Sequence, residues 1–306
     1  MRVAIIGGTG FVGSYICEAL AAAGHELSLL VRGGSEDRAD HAPGARLVTG
    51  DIGSKEALAD LLEGCDALIY NVGILREVAS EGVTFEAVQY EGVVFAVEAA
   101  REAGVRRILL MSANGVKKPG TRYQETKWRA EQFALHSGLD VTVLRPSVVF
   151  GDPRGRMEFA TQLCNDMVCQ PFPAISFFSG TNIERGAVVM SPVHVEDVAQ
   201  AFVAALEDDA TIGKTYELGG PEALTWTDMI VRIAEAVGRS KWVVPMPMSL
   251  MRLNATLFDW LPFFPVTRDQ LTMLEEGNTA DPAVLEGLTG RPPRRFTPAE
   301  LAYLAD

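Results

Sequence analysis

Tyr123 and Lys127 lie four residues apart, at the start of a helix predicted over 123–136. That spacing sets both side chains on one helical face, where the ammonium can act on the phenol. A tyrosine hydroxyl titrates at about 10 on its own, and a neighbouring cation stabilises the phenolate and lowers that value. The pair is therefore a candidate proton-transfer couple, with Tyr123 as the acid. Ser112, at the end of the apolar run 108–111, can hydrogen-bond a substrate carbonyl, and such a site works beside a hydride carrier. The plainer reading is a tyrosine and a lysine that flank a helix start.

The carrier's site is readable near the beginning of the sequence. Gly7-Gly8-Thr9-Gly10-Phe11-Val12-Gly13 places glycines at the first, fourth and seventh positions, after the apolar run Val3-Ala4-Ile5-Ile6. The first glycine allows a sharp turn, the middle one lets the backbone approach a pyrophosphate, and the last lets helix and sheet pack closely. The helix that follows offers free N–H groups and the positive end of its dipole to the phosphates. A dinucleotide is the ligand this pattern implies. Arg32 ends the second apolar run, where an NAD site usually carries an acidic residue for the ribose. A guanidinium there can pair a 2′-phosphate, so NADP(H) is expected over NAD(H). Asp51 and Ile52 follow the third run and are candidates to meet the adenine. Val72 and Gly73 follow the fourth and let the backbone pass close to the ribose.

These residues need a scaffold, and the apolar runs supply one. Short strands are predicted at 3–6, 27–31, 45–48, 67–70, 108–111 and 141–144, separated by helices at 54–62, 85–103 and 123–136. The alternation implies an α/β fold, a doubly wound parallel Rossmann sheet with a smaller C-terminal substrate domain. Regular alternation stops past Gly151 and returns at 193–206. The expected division is therefore 1–150 with 191–210 for the Rossmann domain and 151–190 with 211–306 for the substrate or partner domain.

Together these residues resemble the short-chain dehydrogenase/reductase superfamily in its extended, atypical branch. The glycine turn matches at Gly7, Gly10 and Gly13, and the serine and Tyr-x-x-x-Lys match at Ser112, Tyr123 and Lys127. The likeness continues through Arg145-Pro146-Ser147-Val148-Val149-Phe150-Gly151 and Val193-His194-Val195-Glu196-Asp197-Val198-Ala199. It implies that the first of these segments, with Pro146 and Val148, passes the nicotinamide, and that Lys127 also orients the ribose. In the C-terminal third, Tyr216-Glu217-Leu218-Gly219-Gly220-Pro221 and Pro265-Val266-Thr267-Arg268-Asp269-Gln270 look like the nucleotide-binding accessory subunit of respiratory complex I and its bacterial relatives. The resemblance implies an NADP(H)-dependent oxidoreductase acting on a carbonyl or hydroxyl. Its alternative is a non-catalytic structural or assembly protein that holds the dinucleotide. A nucleotide-sugar epimerase or dehydratase stands third, because Ser112 precedes Tyr123 by a shorter stretch than in the epimerases.

Bulk properties narrow the partners. The 306 residues are 48% hydrophobic and 22% charged, with a formal charge of −13, which argues against nucleic acid and for a small molecule or protein. The four cysteines are irregularly spaced and read as reduced thiols, with no metal site expected. The first strand leaves no room for a leader, so a cytoplasmic protein is expected. The apolar segment 246–266 is interrupted by charges and bracketed by prolines, and the uninterrupted helix within it is shorter than a bilayer span requires. It reads as a helix over the substrate cleft, or as a docking surface for a protein or a membrane, which would make the chain peripheral to that membrane.

Overall fold

The structure is a computed structural model that describes residues 1–180, 182–183, 186–250 and 268–305. The chain divides into two compact units. The first comprises Met1–Pro146, Val195–Leu218 and Val284–Arg291, and the second comprises Ser147–His194, Gly219–Ala283 and Pro292–Asp306.

The first unit is built on a seven-stranded sheet. Six of its strands are β1 (Arg2–Ile6), β2 (Glu26–Val31), β3 (Arg46–Thr49), β4 (Ala67–Tyr70), β5 (Arg107–Met111) and β6 (Asp140–Pro146). They run β3-β2-β1-β4-β5-β6, all in parallel pairs, and Thr215–Leu218 adds the seventh beside β6. Strands covered on both faces carry continuous apolar sequence rather than alternation, and β4 and β5 are buried at every residue. After β3 the chain returns to pair β4 with β1, so the winding reverses between β1 and β4. Ligands bind outside the carboxyl ends of strands at such a reversal.

Helix α1 (Phe11–Ala22) follows β1, and α2 (Lys55–Leu62), α3 (Gly92–Glu102) and α4 (Arg122–Leu135) follow β3, β4 and β5. Leu58, Leu61, Val93, Val97, Ala130 and Ala134 close one apolar core over the sheet with Leu68, Tyr70, Ile108 and Val143. Helix Val195–Glu207 packs against α1. The doubly wound parallel sheet expected from the apolar runs is thus present, with two differences. The helix expected over 85–103 opens as a π-helical turn at Glu86–Glu91 before α3 begins. Thr215–Leu218 joins the Rossmann sheet, although the sequence pattern places residues from 211 onward in the other domain. Its polar Thr-Tyr-Glu sequence suits an edge position, where only one flank is paired.

The second unit has its own core around Phe150, Trp226, Met229, Ile230, Ile233 and Phe296. Three two-stranded pairs serve it, one of them the parallel pair of Ala174–Phe178 with Val243–Pro247. Most of the apolar segment 246–266 lies outside the described residues. Among the described residues no helix is long and apolar enough to cross a membrane.

Candidate active site

The three glycines of the first turn serve three different needs. Gly7 has φ +90°, and a Cβ there would run into Asn71 O. A Cβ on Gly13 would run into Gly7 O and the Gly8 backbone, so the helix packs on the turn only because none is present. Gly10 has an ordinary extended backbone, φ −78° and ψ 175°, and a Cβ there would meet Gly7 O alone, at 3.4 Å. The fold does not require glycine at this position. The open space at Gly10 fits a pyrophosphate, which needs the backbone bare. Helix α1 begins immediately after it with no side-chain cap and no acidic residue in its first turn. Its positive end is therefore left to an anion.

A cavity of about 480 Å³ opens at this turn. Gly7, Thr9, Gly10, Arg32, Asp51, Ile52, Val72 and Gly73 all line it. Phe11, Val12 and Gly13 form the first turn of α1 beside it. Pro146 ends β6, where its carbonyl accepts from Asn114 N at 2.9 Å, and Val148 belongs to the second unit, where its carbonyl accepts from Val193 N at 3.0 Å. Neither lines the cavity. Glu81 and Glu91, which the motif reading missed, do line it. They arrive from the loop and the π-helical turn after β4, and no spacing in the sequence marks them.

Thr121 and Gln124 set the start of α4 through a reciprocal capping box, and this fixes the helical register of Tyr123 and Lys127. Lys127 is buried, and its Nζ reaches Met111 O at 3.5 Å. A Cβ on Gly73 would stand 3.4 Å from that Nζ, so the amine lies against the glycine that borders the cavity. Burial lowers the Lys127 ammonium to about 8, against an opposing pull from the charge of Glu131. Glu131 is itself buried and held by Arg145 at 2.9 and 2.6 Å, one helical turn further on.

Tyr123 stands differently from the expected couple. Lys127 Nζ is 5.9 Å from its ring centroid, and Phe85 packs edge-on at 5.7 Å. Burial pushes the Tyr123 hydroxyl above its ordinary value. Ser112 is buried beside Lys127, and its Oγ has no hydrogen-bond partner among the described residues. The two share a void of about 10 Å³ with Gln89, room for about one water-sized oxygen. Gln89 was also missed. It comes from the π-helical turn, buried, with Nε2 on Ile74 O at 2.8 Å and Oε1 accepting from Thr126 at 3.2 Å.

A family model described as NAD(P)H-binding matches residues 7–166, a span that includes the turn, the cavity, Ser112, Tyr123 and Lys127. The chain is 27% identical over 293 residues to NADH dehydrogenase (ubiquinone) 1 alpha subcomplex subunit 9, mitochondrial, of Arabidopsis thaliana, covering 90% of this chain and 68% of that one. It is 26% identical over 312 residues to the photosystem II assembly factor Ycf39 of Synechocystis sp., covering 100% and 90%. It is 28% identical over 251 residues to a ceramide reductase of Caulobacter vibrioides, covering 80% and 73%. Among solved structures, that of gox2253 superposes with a TM-score of 0.79 at 26% identity, over 99% of this chain and 96% of that one. The UDP-glucose 4-epimerases of Thermus thermophilus (TM-score 0.72, 21% identity, 100% and 98% covered) and Stenotrophomonas maltophila (0.74, 19%, 100% and 98%) share the fold.

Both epimerase structures contain NAD, and this overturns the expectation of NADP(H). The cavity supplies a physical reason. Arg32 lines it together with Asp51, Glu81 and Glu91, all four exposed, so three carboxylates accompany one guanidinium in the same lining. The balance is negative, so a 2′-phosphate gains less there than a neutral ribose hydroxyl. With residues 7–166 of 306 matched and the glycine turn built to leave a pyrophosphate its space, the chain belongs to the NAD(P)H-binding family of Rossmann-fold proteins.

Proposed function

We propose that this chain binds NAD(H) as a structural ligand and serves in the assembly or support of a larger complex, without turning the dinucleotide over. The observation that carries the reading is the contrast between the two halves of the site. The phosphate-binding turn is open at Gly10 and uncapped at α1. The Tyr123 hydroxyl is buried, which raises its pKa, and Lys127 Nζ stands 5.9 Å from the Tyr123 ring centroid. In this reading Gly7, Thr9 and Gly10 hold the pyrophosphate, Asp51 and Ile52 border the adenine, and Lys127 reaches the ribose past Gly73. The likeness to a respiratory NADH dehydrogenase subunit and to a photosystem assembly factor supports the same role.

A second reading is favoured by the unpartnered Ser112 Oγ and by the likeness to a ceramide reductase. There Ser112 would hold a carbonyl oxygen and Tyr123 would donate a proton to it, while the dinucleotide supplies the hydride when bound. NADH oxidation across a panel of aldehydes and ketones separates the two. The proposal expects no turnover above background and no effect of Tyr123→Phe. Turnover that falls roughly a hundredfold in Tyr123→Phe would overturn it.

A further inference from the structure

The second unit contains a pair of cysteines that the dinucleotide site does not use. Helix Phe159–Leu163 runs into a π-helical turn at Cys164–Val168, closed by Cys169 N on Cys164 O at 2.7 Å. In an α-helix, residues five apart point about 140° away from each other around the axis. Hydrogen bonding from i to i+5 reduces that angle and brings residues five apart to one side. The Cys164 and Cys169 Sγ atoms accordingly stand 3.3 Å apart, a little over 1 Å outside the S–S bonding distance of about 2 Å.

The two thiols differ in access. Cys169 is exposed, whereas Cys164 is buried in the core of the second unit with Leu163 and Val168. Burial and the contact with Cys169 push the Cys164 thiol up to about 12. Two cations lie beside the exposed member: Arg239 donates to Cys169 O at 3.3 Å, and Lys241 donates to Gln170 O at 2.5 Å. They favour the approach of an anionic reagent in a chain whose net charge is −13.

We infer that Cys164 and Cys169 form a redox-active dithiol, closed to an intrachain disulfide by exchange with an anionic low-molecular-weight disulfide of the oxidised-glutathione class. The Cys169 thiolate attacks one sulfur of the reagent and forms a mixed disulfide, releasing one thiol. Cys164 Sγ then attacks Cys169 Sγ, and its proton passes to the departing thiolate. Two protein thiols and one small disulfide become one protein disulfide and two small thiols, so electrons and protons balance. The bond ties the start of the π-helical turn to the residue just past its end, ahead of strand Ala174–Phe178.

Mass spectrometry after incubation with oxidised glutathione tests this, with remaining thiols trapped by N-ethylmaleimide and the chain cut by trypsin. Cys164 and Cys169 share the fragment 157–185. In the native protein that fragment is expected to be about two mass units lighter than its reduced form, free of glutathione and of alkyl groups, and restored by dithiothreitol. In Cys164→Ser the mixed disulfide has no resolving thiol, so one glutathione should persist on Cys169. The native protein decides the matter even where a variant folds poorly. Persistent glutathione on native Cys169, or two alkylated thiols in native 157–185 after oxidation, would overturn the inference.

Discussion

At the scale of single residues, Lys127 is the most informative. Its ammonium titrates near 8 in the fold against an ordinary 10.5, because it is buried. Below pH 8 the lysine is charged in both the folded and the unfolded chain, and the full cost of burying that charge is present. Between pH 8 and 10.5 the unfolded chain retains a proton that the folded chain has lost, so this group makes stability rise with pH. Lys127→Met is therefore expected to be more stable at pH 7, by up to about 3 kcal/mol, and to lack that rise. Urea unfolding at pH 7 and pH 9.5 measures both, and a native chain that loses stability relative to the variant on going to pH 9.5 contradicts the assignment. Gly13→Ala should cost about 1–3 kcal/mol in the same assay, because its Cβ has backbone in its way. Gly7, Gly10 and Gly13 are legible in the sequence because a turn that must bend, open and pack in seven residues leaves few alternatives. Arg32 misleads for a related reason. Its neighbours in the chain show a cation, but the cavity's charge is decided by Glu81 and Glu91, which join it only in the fold.

At the scale of elements, the strands β1 to β6 are readable because parallel strands buried on both faces are continuous apolar runs bounded by turns. The π-helical turn at Glu86–Glu91 is not readable, since it is one short irregularity in EAVQYE, a segment with no glycine or proline to mark it. That turn places Gln89 and Glu91 at the site, so two of the residues missed by sequence reasoning trace to one local irregularity. The edge strand Thr215–Leu218 is hidden for another reason. Four residues, three of them with polar side chains, make too short a pattern to identify a sheet partner 72 positions away, at the Val143–Thr215 register. The start of α4 depends on Thr121, whose hydroxyl accepts from Gln124 N at 3.3 Å while Gln124 Oε1 accepts from Thr121 N at 2.8 Å. Thr121→Ala should cost about 1 kcal/mol and loosen the first turn that carries Tyr123. Hydrogen exchange at residues 122–125 is expected to accelerate more than exchange in α3, and uniform acceleration across both helices would contradict a local role for the cap.

At the scale of the whole molecule, a ligand that binds only the folded chain stabilises it by mass action, by about 2.7 kcal/mol at a free concentration one hundred times its dissociation constant. A structural dinucleotide should therefore raise the melting temperature of the native protein while remaining chemically unchanged through the scan. The central claim is that the space left at Gly10 is the pyrophosphate's and that the cavity beside it holds NAD(H). Calorimetric titration of NADH into the native protein and into Gly10→Val tests it most directly, with the melting temperature of each ligand-free protein recorded in parallel. The account predicts saturable binding to the native protein and none to Gly10→Val, with both ligand-free proteins melting within a few degrees of each other, since a side chain at position 10 meets little protein. Equal NADH affinity in native and Gly10→Val proteins that are both folded would contradict it.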